Sequence, residues 1–387
     1  MAWCRCVHPP VLGPALAALS CLLSAGGCGG GAGQDTSPFA TGTSTGTLTQ
    51  TGASDTTGGD GDGDGDSGDG DGDPGDGDGD ETLFDVAEGG GDGDGDGDCT
   101  LPHVPCDAAT TDPFNALGLG CPGELQINPS IDAHQDGMGV RSSFGATATY
   151  DPQEGSSYFV LSTGHVAELD DEPVNPGDQI YHCNKWFSPG DGMDTTNFPA
   201  PIKKNNVNGD CLSNPALVGT GDCSNTIQAQ FQQSGWKYDY QEIRFSVTVP
   251  EDAHALAFDV AYFTTEWPVF AGQSYNDMFI AWLEAPNWTG NISFDDGGHA
   301  LSLNAAFFDY EDQDGLLPEF AGTCMRYGAG TPWLTTTAEV VPGDQIELVF
   351  AIFDLDDVNL DSFVFLDNFR WLCEGGGGPS TMPVPVP

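Results

Sequence analysis

Basic residues are nearly missing from this chain: nine Lys and Arg stand against 59 Asp and Glu in 387 residues, a formal charge of -50 at pH 7. Such a surface repels phosphate backbones, which argues against nucleic acid as a partner and favours metal cations or basic surfaces. A sustained 3.6-residue apolar period is missing too, and the best helical stretch is a short turn at 112–119, DPFNALGL. Long apolar runs are scarce: the stretch from Val11 to Leu23 is too short to span a membrane permanently, and no apolar segment near the C-terminus would serve as an anchor. Catalytic signatures are equally thin. There is no HExxH and no C-x-x-C pair, and the one G-x-S-x-G match, GTSTG at 42–46, has no strand before it or helix after it.

The N-terminal residues form a secretory signal over 1–28, with Arg5 in a short basic region, then the apolar stretch, then small residues leading to Cys28. LLSAGGC resembles a bacterial lipobox, which implies lipid on the Cys28 thiol and a membrane-anchored lipoprotein; an ordinary cleaved signal is the alternative. Gly29, rather than Asp, follows the cysteine, so the outer membrane or cell surface is the expected location. Residues 29–98 hold 19 acidic residues and no Lys or Arg, with almost no apolar side chains to offset the entropy of ordering. They read as an extended Gly/Asp-rich tether. Its DGDGD runs lack the flanking helices of an EF-hand and the aliphatic residue of the nonapeptide calcium repeats.

Eight cysteines remain after the signal and Cys28: Cys99, Cys106, Cys121, Cys183, Cys211, Cys223, Cys324 and Cys373. An even number in an exported chain predicts four disulfides, and Cys211 with Cys223 is the best local pair. From Cys99 onward apolar alternation is punctuated by Gly, Pro, Asn and Asp. QEIRFSVTV at 241–249 sets Ile243, Phe245, Val247 and Val249 against Glu242, Arg244, Ser246 and Thr248, and ALAFDVAYF, DMFIAWL, DQIELVFAIF and SFVFLDNFRW read as strands in the same way. The expected fold is all-β, an antiparallel sandwich of jelly-roll type over 99–373 with long disulfide-stapled loops, notably 183–235, and a flexible tail over 374–387.

FVLSTGHV at 159–166, FDVAYFTTEWPVFAGQSYNDMFIAWL at 258–283 and VVPGDQIELVFAIFDLDDVNLDSFVFLDNFRW at 340–371 resemble the choice-of-anchor L domain of exported bacterial proteins, over roughly 124–373. The resemblance implies attachment to the cell surface and carries the family's recurring acidic and amide positions onto Glu266, Asn276, Asp277, Asp354, Asp357 and Asp361. TTEW stands where the family more often has Ser-Glu-Glu-Tyr. The family brings no characterised activity.

Two function classes are open. The first is a non-catalytic display module at the cell exterior that binds a glycan or a surface protein. DLDDVNLD, joining two strands, crowds Asp354, Asp356, Asp357 and Asp361 at one end of the sandwich, where Ca²⁺, with its 6–8 oxygen ligands, would gather them with Glu266, Asn276 and Asp277 from a neighbouring loop. Trp236, Trp267, Trp288 and Trp333 are the aromatics available as ligand platforms, each weighed against a core position. The second class is a glycoside hydrolase pairing Glu266 with Asp277 or Asp361. His165 reads as a turn histidine, and Asp312–Gly315, DQDG, as either a small calcium turn or a solvated one.

Overall fold

The computed structural model describes residues 101–385 apart from 102, 176–182, 186, 189–196, 231–236, 274, 296 and 305–307. Cys28, the 29–98 segment, Cys99 and Trp236 lie outside the described residues. Among the described residues thirteen strands follow in chain order: β1 (Asn128–Asp132), β2 (Met138–Arg141), β3 (Tyr158–Ser162), β4 (Lys237–Thr248), β5 (Ala255–Thr264), β6 (Met278–Glu284), β7 (Thr289–Asn291), β8 (Tyr310–Glu311), β9 (Ala329–Gly330), β10 (Leu334–Glu339), β11 (Gln345–Leu355), β12 (Ser362–Leu372) and β13 (Ser380–Pro383). One sheet has the order β1-β4-β11-β6-β7; the other runs β13-β10-β5-β12-β3-β2, with β9 on β5 and β8 on β9. Every pairing between these strands is antiparallel. β3, β4, β5 and β6 alternate between the sheets, as do β10, β11 and β12, the crossing pattern of a jelly roll.

The period-2 stripes read from sequence meet between the sheets. Ile243, Phe245 and Val247 of β4, Phe279, Ala281 and Leu283 of β6, and Leu348, Phe350 and Ile352 of β11 pack against Phe258, Val260 and Tyr262 of β5 and Val364 and Leu366 of β12. The opposite faces are not solvated, as simple alternation would have them. Phe263, Phe363 and Phe365 are covered by Phe144, Tyr150 and Phe320 from loops, while Ile280, Trp282, Val349 and Phe353 lie under Ile202 and Ile227. Burying such a side chain is worth roughly 1.5–3 kcal/mol, so these loops are docked layers rather than loose connections.

Cys211–Cys223 is the expected local disulfide; Cys106–Cys121 and Cys183–Cys324 are two others, and Cys373 is disulfide-bonded as well. The turn at 112–119 contains the short helix α1 (Pro113–Ala116), capped by Asp112, whose carboxylate accepts from the Phe114 amide at 2.9 Å. A second one-turn helix, α2, spans Ile227–Gln230. The chain beyond Cys373, expected as a flexible end, instead adds β13 to the edge of the sheet, with Thr381 opposite Thr336. Free backbone groups on the edge strand β10 give the tail a ladder to join.

Cys183–Cys324 joins residues 141 apart in sequence and ties the segment at Cys183 into the outer aromatic cluster. Replacing both cysteines by Ala should cost roughly 2–5 kcal/mol in a denaturant titration, more than the same change at Cys211 and Cys223, whose loop is short.

Candidate functional site

Several inward stripes end in oxygen at the same end of the sandwich. On β11 the series Leu348, Phe350, Ile352 continues to Asp354; before β6 the series Leu283, Ala281, Phe279 continues back to Asp277; past β5 the series Phe258, Val260, Tyr262 continues to Glu266. Asp354 is therefore part of the strand, not of the connecting loop, which shortens to 356–361. β4 contributes Asp239 through a bulge: two residues, Asp239 and Tyr240, stand opposite Phe353 alone, and Asp239 has φ 49°. Asp239, Glu266, Asp277, Asp354 and Asp361 are each at most 2 % exposed.

Their hydrogen bonds leave much of this oxygen unsatisfied. Ser362 Oγ donates to Asp277 Oδ2 at 2.6 Å, and the Tyr262 hydroxyl donates to the Asp277 carbonyl at 2.9 Å. Asp361 Oδ2 accepts from the Lys185 amide at 3.3 Å. Asp361 Oδ1, Glu266 Oε2 and both carboxylate oxygens of Asp354 have no donor. Asp354 and Asp277 face each other, carboxylate to carboxylate, within hydrogen-bonding range. That contact needs either a shared proton or a cation.

Burial is the main reason these acids resist ionisation, and the neighbouring carboxylates add to it. Asp354 and Asp361 are held well above the usual carboxylate range, Asp277 is pushed up to about 7, and Glu266, with Asp277 and Asp357 beside it, is pushed up to about 11. Asp361 is pressed against the chain at Gly164, where a Cβ would lie 1.8 Å from its Oδ2. The loop is held in shape by two left-handed residues, Asp356 at φ 80° and Leu360 at φ 66°, and the Leu360 amide donates to Asn184 Oδ1 at 2.9 Å.

The structure brings Glu266, Asp277, Asp354 and Asp361 into one buried group, with Asp357 half-buried beside Glu266. Asp356 is half-buried on the rim. Asn276 serves as a clasp: its amide donates to Gln230 at 2.8 Å and its oxygen accepts from the Asn304 amide at 3.0 Å. Two members were missed. Asp239 was hidden because the inward stripe of β4 turns polar at Gln241, before it is reached. Glu168, 3 % exposed, sits after β3 in a 3-10 turn that carries no periodic signal; its carboxylate repels that of Asp361 and pairs with Lys185 Nζ at 3.1 Å.

Among the described residues, no three of these carboxylates offer oxygens within 4.8 Å of one another. The orphaned oxygens suit a hard cation, which would draw them closer and complete its shell with hydroxyl or carbonyl oxygen.

The aromatics sort differently. Trp288 and Trp333, at 6 % and 4 % exposure, are core residues and cannot serve as ligand platforms; Trp267 is half-exposed beside the site. His165 stacks on Phe187 at 5.1 Å, with His134 on the same ring at 4.5 Å. Asp312 commits its carboxylate to the amides of Leu316, Leu317 and Tyr327, so DQDG is a self-capped turn with its carboxylate already engaged. Searches of protein-family models, curated proteins and solved structures each found no match.

A carboxyl whose folded pKa is raised contributes stability below its unfolded pKa, near 4, and loses it as pH rises through the folded value. In chelator, the melting temperature should therefore fall as pH rises from about 4 through 7, the range set by Asp277, and continue to fall above it because of Glu266. Gly164→Ala should displace Asp361 and lower the melting temperature at every pH, a clash that Asp361→Gly in the same chain relieves.

Proposed function

We propose that the chain is a lipid-anchored, non-catalytic surface module, tethered through Cys28 and its Gly/Asp-rich segment, in which a calcium ion orders one end of a β-sandwich that presents its loops to a glycan or protein outside the cell. The observation that carries this reading is the group of buried carboxylate oxygens without donors on Asp354, Asp361 and Glu266. Leaving such charges uncompensated costs several kcal/mol, comparable to the whole 5–15 kcal/mol stability of a domain. A divalent cation offsets that cost. Asp354, Asp361, Asp277 and Glu266 would hold it, with Asp357 and Asp356 at the open side.

The resemblance to choice-of-anchor L domains agrees with surface attachment. The half-exposed Trp267 and the neighbouring exposed Val269 form an apolar rim beside the carboxylates, a suitable place for a partner to contact. A second reading takes the raised values of Glu266 and Asp277 as those of a general acid and its partner in glycoside hydrolysis. Burial disfavours it, because neither carboxylate reaches a surface where a sugar ring could sit.

The test is thermal. Millimolar calcium should raise the melting temperature relative to excess chelator by mass action. Asp354→Asn should abolish that rise and, in chelator at pH 8, melt above the parent chain by a few degrees, since it removes one buried charge and can donate to Asp277. Identical curves with calcium and chelator would remove calcium from the reading. Release of reducing sugar from a polysaccharide panel, lost in Glu266→Gln, would favour the hydrolase.

A further inference from the structure

The opposite end of the sandwich, about 33 Å from Asp361 along β12 at the rise of an extended strand, holds a different set of ligand atoms. His103, Cys121 and Glu124 each present one, and the three lie within 4.8 Å of one another. Cys121 and Glu124 are joined by a tight turn in which the Glu124 amide donates to the Cys121 carbonyl at 3.1 Å and Gly123 takes φ 95°. His103 Nδ1 contacts the Glu124 carboxylate, while its Nε2 lies 3.1 Å from Glu154 Oε2. A carboxylate beside the imidazole stands where a metal-binding histidine takes its outer partner, although in the disulfide-bonded chain Nε2 makes no hydrogen bond to it. Zinc at its usual bond lengths places sulfur, nitrogen and oxygen ligands roughly 3.4–3.6 Å apart, inside the observed limit.

In the oxidised chain the Cys121 sulfur is bonded to Cys106 and cannot bind metal. We propose that the Cys106–Cys121 disulfide is a redox cover over a zinc site made by His103, Cys121 and Glu124, with Glu154 positioning the imidazole. Cys106 is the more exposed partner and the accessible point of attack. A thiolate of a dithiol reductant bonds to Cys106 Sγ, the Cys106–Cys121 bond breaks, and Cys121 leaves as thiolate. The second thiol of the reductant then displaces Cys106, so the reductant departs as its own disulfide and Cys106 is left as a free thiol. The Cys121 thiolate, neutral His103 and the Glu124 carboxylate take up Zn²⁺. His103 and Glu124 also line a cavity of about 390 Å³ walled by Leu119, Ile127 and Trp371, so the fourth coordination position opens onto a space that admits water or a small ligand.

The experiment uses the full chain with its other disulfides intact. Cys106→Ser frees Cys121 alone; after equilibration with zinc and gel filtration it should retain about one zinc per chain more than the oxidised parent, and that zinc should be lost in Cys106→Ser/His103→Ala and in Cys106→Ser/Glu124→Gln. Equal zinc in all four proteins, or none gained in Cys106→Ser, overturns the proposal. Should Cys106→Ser misfold, the parent chain treated with limiting dithiol gives the same information by alkylation mapping. Zinc should slow labelling of Cys121 and leave Cys106 reactive; equal labelling of Cys121 with and without zinc overturns the site.

Discussion

The burial of carboxylates at one end of the sandwich, against almost no positive charge, is the constraint on which the rest of the molecule turns. Asp277 and Asp354 continue inward stripes that are otherwise apolar, Glu266 and Asp239 lie beyond the buried polar residues Thr264 and Gln241, and Asp361 lies just before β12. Lys185 approaches this region, but it is mostly exposed and spends its ammonium on Glu168. Lys237, although buried, turns the other way, with Nζ 4.5 Å from the Phe198 ring on the outer face of β4. Two like charges about 4 Å apart repel by about 1 kcal/mol in water and about 4 at the effective dielectric near a protein surface. Protons or a cation must therefore balance this end.

Much of the remaining architecture holds these oxygens in place. Cys183 accepts the Asp361 amide through its carbonyl at 2.8 Å, and its disulfide to Cys324 anchors that contact in the same buried cluster as Phe144, Tyr150 and Phe320. Thr265 donates from its hydroxyl to the Asp361 carbonyl at 3.1 Å, and Ser362 couples Asp277 to Tyr262. The loops over both outer faces give the sheets a rigidity that two layers with wet backs would lack, so the carboxylates cannot simply swing into solvent. Held in this way, each carboxyl must be protonated or paired.

The sandwich was legible because β-branched and aromatic residues alternate cleanly along the five longest strands, and the Cys211–Cys223 bond because the two cysteines share one short loop. The acidic end was legible in part. Counting in twos from Ile352 reaches Asp354, and from Phe279 back reaches Asp277, so the stripe itself points to them. Asp239 was not, because the inward stripe of β4 turns polar at Gln241 and no apolar alternation leads on to it, and Glu168 was not, because a 3-10 turn has no stripe to extend. The outer aromatic layers were hidden for a related reason: alternation predicts which residues share a face, not whether a distant loop will cover that face. Trp288 and Trp333, weighed between core and ligand platform, lie in the core. The His103, Cys121 and Glu124 grouping escaped because Cys121 read only as a disulfide half, and His103, eighteen residues away, shares no element with it.

The central claim is that buried, protonated carboxyls at this end give up their protons to a cation. Calorimetric titration of calcium into the chelator-stripped protein at pH 7, repeated in two buffers of different ionisation enthalpy, measures that exchange. Saturable binding with release of protons, seen as a heat that changes with the buffer and a shell lost in Asp361→Asn, is the predicted result. Absence of binding, or binding whose heat is the same in both buffers, would contradict it.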